Sequence, residues 1–227
     1  MKKRKWWFAL LKKLMRVRYK KVTFQYLGEE IGNGDIVLCN HEGTDGPMSW
    51  EMHSGKQVRF WGAHEMNSGL RKLYGYQTKV YFHEKKHWNL FLARLFCLIA
   101  SPLTNLFYKG LDIISTYQDG RFRNTLKESV ESMKAGDNIV LFPEKSDEGY
   151  QDVLKGFHGG FVSLAKVCEK EGIDAKIFVT YFNKKKKLCI VDKPVLYSEL
   201  AKKYATKEEI CDALCDRCNQ LGEMTRK

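Results

Sequence analysis

The sequence predicts an α/β fold: a single domain with a central mixed sheet flanked by helices, plus an N-terminal basic amphipathic helix. Three observations predict it. Short runs rich in Val, Ile, Phe and Tyr alternate with longer stretches whose apolar residues recur every three or four positions. No internal repeat or low-complexity linker interrupts that alternation. With 44% hydrophobic and 13% aromatic residues over 227 positions, the chain can bury a core, which excludes disorder as its main state. The boundary falls at residue 21, with the basic amphipathic helix over 1–21 and the α/β domain expected over 22–227.

The first element is set by charge. The chain carries 39 Lys and Arg against 27 Asp and Glu, a net charge of +12. Ten of those bases lie in residues 1–21, and no acid precedes Glu29. The remaining 206 residues are therefore near neutral in sum, and the charge reads as an N-terminal device. Trp7, Leu10, Leu11, Leu14 and Val17 fall on one helical face, with Lys5, Lys12, Lys13, Arg16 and Lys20 on the other. Tryptophans beside lysines suit an anionic membrane surface, where rings enter lipid and ammonium groups meet phosphates. The same face could instead pack on its own domain, or serve both purposes. Nucleic-acid binding would rest on the isoelectric point alone, and a near-neutral body argues against it.

Strands are expected at 22–27, 35–39, 58–63, 112–116, 138–142, 176–182 and 188–192, and helices at 123–134, 159–171 and 207–221. Between the third and fourth strands lies the most apolar stretch, 88–107. Arg94, Asn89, Asn105 and Pro102 interrupt it, so it reads as an interfacial or buried helix pair broken near Pro102. The basic run Lys184–Lys187 sits where a hairpin turn is expected, a solvated turn or a contact for headgroup or cofactor-type phosphates. Seven cysteines without a secretory signal imply reduced thiols and a cytoplasmic setting. Cys211, Cys215 and Cys218 share a helical face with Ile210, Leu214 and Leu221, so they read as small apolar side chains rather than cluster ligands. No metal site is expected, and no Gly-rich phosphate loop is visible.

Chemistry gathers after two of the expected strands. Asn40-His41-Glu42-Gly43-Thr44-Asp45 follows the second, and an acid four residues beyond a histidine can orient the imidazole as a base. Phe142-Pro143-Glu144-Lys145-Ser146-Asp147 follows the fifth, with Lys155-Gly156-Phe157-His158-Gly159-Gly160-Phe161 beyond it. Together these segments resemble the first and third motifs of the glycerolipid acyltransferase superfamily, whose best-known members are lysophosphatidic acid acyltransferases. Ile177–Tyr181 and the Lys193-Pro194-Val195 turn resemble its fourth region, and order and spacing agree from about Val22 onward.

The resemblance implies an O-acyltransferase that moves a fatty acyl group from an acyl thioester, acyl-CoA or acyl carrier protein, to a hydroxyl of a lysophospholipid or related glycerolipid. It implies His41 as general base oriented by Asp45, direct transfer without an acyl-enzyme, and no cofactor beyond the donor. Glu144 would hold the acceptor or brace the base loop, with Lys145 and Ser146 beside it. Arg121, with Arg123 in reserve, would meet a phosphate. The implied place is peripheral, on the cytoplasmic side of a membrane. Two departures stand out. Three residues, not four, separate His41 from Asp45, and Lys145 and Asp147 replace the family's Gly and Arg. Acylation of a non-phosphorylated hydroxyl or amine, or lipid binding without catalysis, are the alternatives these departures raise.

Overall fold

Eight strands form one sheet in the order β1-β7-β6-β2-β5-β3-β4, with β8 beside β6. The computed structural model describes residues 5–16, 19–146, 149 and 151–226. Sequence expectations for Val17, Asp147 and the bases at 2–4 and 18 lie outside the described residues.

The strands are β1 (Thr23–Tyr26), β2 (Ile36–Cys39), β3 (Val58–Ala63), β4 (Ile114–Thr116), β5 (Asn138–Leu141), β6 (Lys176–Asn183), β7 (Leu188–Val191) and β8 (Val195–Leu196). β6, β2, β5, β3 and β4 run parallel; β7 and β8 pair antiparallel with β6, so the sheet is mixed. The central strands β2 and β5 are buried along their whole length, which is why β2, and β5 after Asn138, read as apolar runs.

Alternate side chains build a core on each face. Ile36 and Leu38 point into one, with Ile139, Leu141, Ile177 and Val179. This face is covered by α5 (Phe122–Lys134), α6 (Gly160–Lys170) and α8 (Lys207–Arg226). Cys211, Cys215 and Cys218 lie on the inner side of α8 as apolar packing. Val37 and Cys39 point to the opposite core, with Phe60, Val140 and Phe178. There they meet Trp50 of α2 (Asp45–His53) and Phe8 of α1 (Trp6–Met15). The small helix α7 (Tyr197–Lys203) closes the β8 end.

The N-terminal helix forms, and its expected apolar face divides. Phe8 is fully buried, and Trp7 and Leu11 pack beside it, whereas Trp6, Leu10 and Leu14 are exposed. Gly110 makes the seat: a Cβ there would stand 2.1 Å from the Phe8 ring.

Between β3 and β4 the chain leaves the sheet. It forms α3 (Leu70–Tyr76), a π-helical stretch over Gln77–Lys85 and α4 (Leu90–Leu111), which pack on one another. The expected break at Pro102 does not occur: α4 runs 22 residues straight through it. In the turn that carries Pro102, the Thr104 hydroxyl donates to the Ala100 carbonyl at 2.7 Å, so a side chain occupies backbone polarity near the proline. Asp112, left-handed at φ 51°, ends the helix, and the guanidinium of Arg59 caps its carbonyl at 2.9 Å. By length and composition α4 could cross a membrane, and little of it is buried within the protein.

Candidate functional site

Strand order makes a crevice at the carboxyl end of β2. The chain passes from β2 outward to β3 and β4, returns to β5 on one side of β2, then crosses to β6 on the other. Such a reversal leaves the loops after the central strands splayed apart, and ligands of open α/β sheets bind there. His41 follows β2, Glu144 follows β5 and Lys184 follows β6, so parallel pairing delivers all three to the same edge.

The His41 loop is fixed by side chains that imitate a ladder. Asn40 accepts the Phe182 N–H at 2.7 Å and donates to the Phe182 carbonyl at 3.1 Å, extending the β2–β6 pairing by one step. The next residue is held from the other side: the His41 N–H donates to Glu144 Oε2 at 2.9 Å. Glu144 Oε1 accepts the Gln151 N–H at 3.4 Å. The carboxylate is buried, both its oxygens serve backbone N–H groups, and burial pushes its pKa up against the pull of those two bonds. Of the two roles expected for Glu144, bracing the base loop is the one this geometry describes. Backbone bonds from His158 N–H to Pro143 O at 2.7 Å and Lys145 N–H to Gly156 O at 2.9 Å fix the loop that carries it.

The His41 ring lies against Phe142, with centroids 5.0 Å apart. Burial, then the nearby Lys85 ammonium, pushes its pKa down to about 4, with a hydrogen bond to the Gly43 backbone pulling the other way. At neutral pH the imidazole is therefore neutral, the form a general base requires. Lys85 arrives from the π-helical stretch, as does Tyr81, whose hydroxyl approaches Gly43 to within 4.0 Å of where a Cβ would stand. Neither residue carries a motif signal in the sequence; the wide π turn presents them. Such turns concentrate at functional sites.

Asp45 opens α2, and its carboxylate pairs with Lys184 Nζ at 2.6 Å. Beside it is a cavity of about 270 Å³, lined by Tyr19, Lys20, Val22, Asp45, Ser49, Phe182, Lys184 and Lys187. Three lysines thus converge next to the His41 loop. Lys184 and Lys187 come from the β6–β7 turn, which closes where Asn183 pairs with Leu188, and Lys20 comes from the segment linking α1 to β1.

The remaining expected residues lie elsewhere on the same edge. Lys145 is exposed and folds over Gly156, where its charge acts on the Cys211 and Cys215 thiols of α8, not in the three-lysine cavity. The Ser146 carbonyl accepts the Gly149 N–H at 3.0 Å. Arg121 is exposed after β4, bound to Asp119 at 2.7 Å and stacked on Tyr117. β4 is three strands from β2, roughly 14 Å across the sheet. Among the described residues, no group of three His, Cys, Asp or Glu side chains is placed to hold a metal ion. No protein-family model matches this sequence, and no curated protein matches it.

Proposed function

We propose that this protein is a membrane-associated O-acyltransferase that uses an acyl thioester donor and a phosphate-bearing lysolipid acceptor. The observation that carries the reading is a neutral, half-buried His41 at the sheet's switch point, held by Glu144 through its backbone. In the proposed step, His41 Nε2 takes the proton of the acceptor hydroxyl while that oxygen attacks the thioester carbonyl. The tetrahedral intermediate collapses to an ester and a thiolate, and the imidazolium returns the proton to the sulfur. Loop N–H groups beside His41 would stabilise the oxyanion.

The lysines around Asp45 support a phosphate-bearing ligand. A phosphate drawn to Lys184 would compete with Asp45 for the ammonium, leaving that carboxylate able to turn toward the imidazolium as it forms. The three-residue His41–Asp45 spacing then matters less in the resting state than in the loaded one.

The test is release of free thiol from acyl-CoA or acyl carrier protein with a panel of lysolipids. His41→Ala should lower turnover by about 10²–10⁴-fold. Undiminished activity in that variant overturns the mechanism. Lys184→Ala should raise KM for phosphate-bearing acceptors more than for neutral ones; an equal effect on both favours a non-phosphorylated acceptor. The Asp45–Lys184 pair also favours a second reading, lipid binding without catalysis, which predicts bound lipid in the purified protein and no turnover with any donor.

A further inference from the structure

The helix α4 is built inside out. Up to Thr104 the side chains it turns toward the protein are small or polar: Ala93, Cys97 and Ser101 are fully buried, and Thr104 is partly so, with Phe107, Tyr108 and Leu111 joining the core only in the last turn. Ser101 donates to Gln77 Oε1 at 2.7 Å, and Gln77 Nε2 donates to Thr104 Oγ1 at 3.0 Å, so a hydrogen-bonded strip joins α4 to the π-helical stretch. The large apolar side chains point the other way. Ile99 is 75% exposed, Phe91 72%, Leu103 65% and Leu98 62%, with Leu92 and Leu95 close behind. A helix on a water-soluble surface shows the reverse arrangement, and an apolar patch this continuous marks an interaction surface.

Charge says what the surface meets. Residues 5–16 and 70–111 together hold eleven Lys and Arg and a single acid, Glu84. The near-neutral sum over residues 22–227 therefore conceals a segregation: the α3–α4 excursion carries seven bases and one acid, while the rest of that span holds 22 bases against 26 acids. Lys85 and Lys86 are exposed at the end of the π-helical stretch that α4 packs on, and Arg94 is exposed on α4 itself. α1 belongs to the same surface. Phe8 packs on Phe107 and over Gly110 at the far end of α4, while Trp6, Leu10 and Leu14 of α1 remain exposed.

From this geometry we infer that α4, with α1 at its end, docks flat on one leaflet of an anionic lipid bilayer, its exposed ridge in the acyl boundary and its lysines on the headgroup phosphates. A second copy of the chain would set eleven cations against eleven; lipid phosphates neutralise them. A crossing is disfavoured by topology. Both ends of the excursion return to neighbouring strands, so a span would have to carry Lys85, Lys86 and His87 through the hydrocarbon and bury Arg94 within it. The surface is independent of acyl transfer, and its test reads binding alone.

Full-length protein is mixed with vesicles of phosphatidylcholine containing about a third phosphatidylglycerol, or of phosphatidylcholine alone, and pelleted. The wild type should bind the anionic vesicles and lose most of that binding in about 0.5 M NaCl. Leu95→Glu/Ile99→Glu should weaken binding roughly tenfold or more while leaving the melting temperature unchanged, since both side chains face outward in the fold. A Trp6→Glu/Leu14→Glu variant should lose less. Three results overturn the inference: wild type that stays in the supernatant, an α4 variant that binds as well as wild type, or a dimer in light scattering that the α4 variant dissolves.

Discussion

α4 and α8 are near equal in length, 22 and 20 residues, and opposite in design. α8 buries Ile210, Leu214, Cys218 and Leu221 against the sheet and offers charged side chains to water. α4 buries Ala93, Cys97 and Ser101 and offers leucines and phenylalanines outward. Both sequences show an apolar stripe at helical spacing. The difference teaches that periodicity finds the stripe and not the side from which it is solvated. That side is decided by whether the opposite stripe can pack closely, and the small residues of α4 can.

The comparison breaks most visibly under truncation. Leu221→Ala, at a fully buried position, should cost about 2–5 kcal/mol in unfolding by denaturant. Ile99→Ala should stay within about 0.5 kcal/mol in vesicle-free buffer, because the side chain already meets solvent there. Equal costs would mean that α4 is covered in solution.

Acid tests a third place, where the excursion before α4 brings Lys85 to His41. The folded imidazole titrates near 4, below its ordinary 6.5, so the unfolded chain takes up that proton first. The contribution is complete above pH 6.5 and is lost as pH falls through about 4. It amounts to at most about 3 kcal/mol, less to the extent that solvent reaches the ring. The raised carboxyl of Glu144 acts with the opposite sign, so the histidine part is read as wild type minus His41→Gln. That difference should shrink between pH 6.5 and 4 in chemical denaturation; a constant difference would show that burial does not hold the ring neutral.

A smaller effect tests the inner strip of α4. Gln77→Leu removes the acceptor of the buried Ser101 hydroxyl and one donor to Thr104 Oγ1, at a cost of about 1–3 kcal/mol confined to the excursion. Amide exchange should quicken in residues 70–111 and remain unchanged in α8. Uniform quickening would make the excursion part of the same cooperative unit as the sheet.

Much of the fold was legible in the sequence, for reasons that differ by element. All seven expected strands form with boundaries within two residues, because β2, and β5 after Asn138, are apolar runs and β6 ends in a turn of four lysines. The two-residue β8 is too short to carry a period. The π-helical stretch at Gln77–Lys85 went unread because its apolar residues follow no helical or strand repeat. Pro102 suggested a break, but α4 continues through it for 22 residues, held on its inner side by packing against the π-helical stretch. The motifs nominated His41, Asp45 and Glu144 as candidates. That β2 and β5 are neighbours, placing Glu144 on the His41 N–H, is a property of strand order that no local pattern encodes. For the same reason Lys184 read as a turn residue, although parallel pairing of β6 with β2 carries it to Asp45.

The seven buried cysteines have a practical consequence. Cys97 sits beneath α4; Cys39 and Cys189 lie in one core, and Cys168, Cys211, Cys215 and Cys218 in the other. A thiol closed to solvent is alkylated only when its surroundings open, so each compartment carries its own clock. Mass spectrometry of the native chain under a slow alkylating agent would time the lifting of α4 separately from the opening of either core. Lipid that seats the ridge should stop the Cys97 clock and leave the other six running.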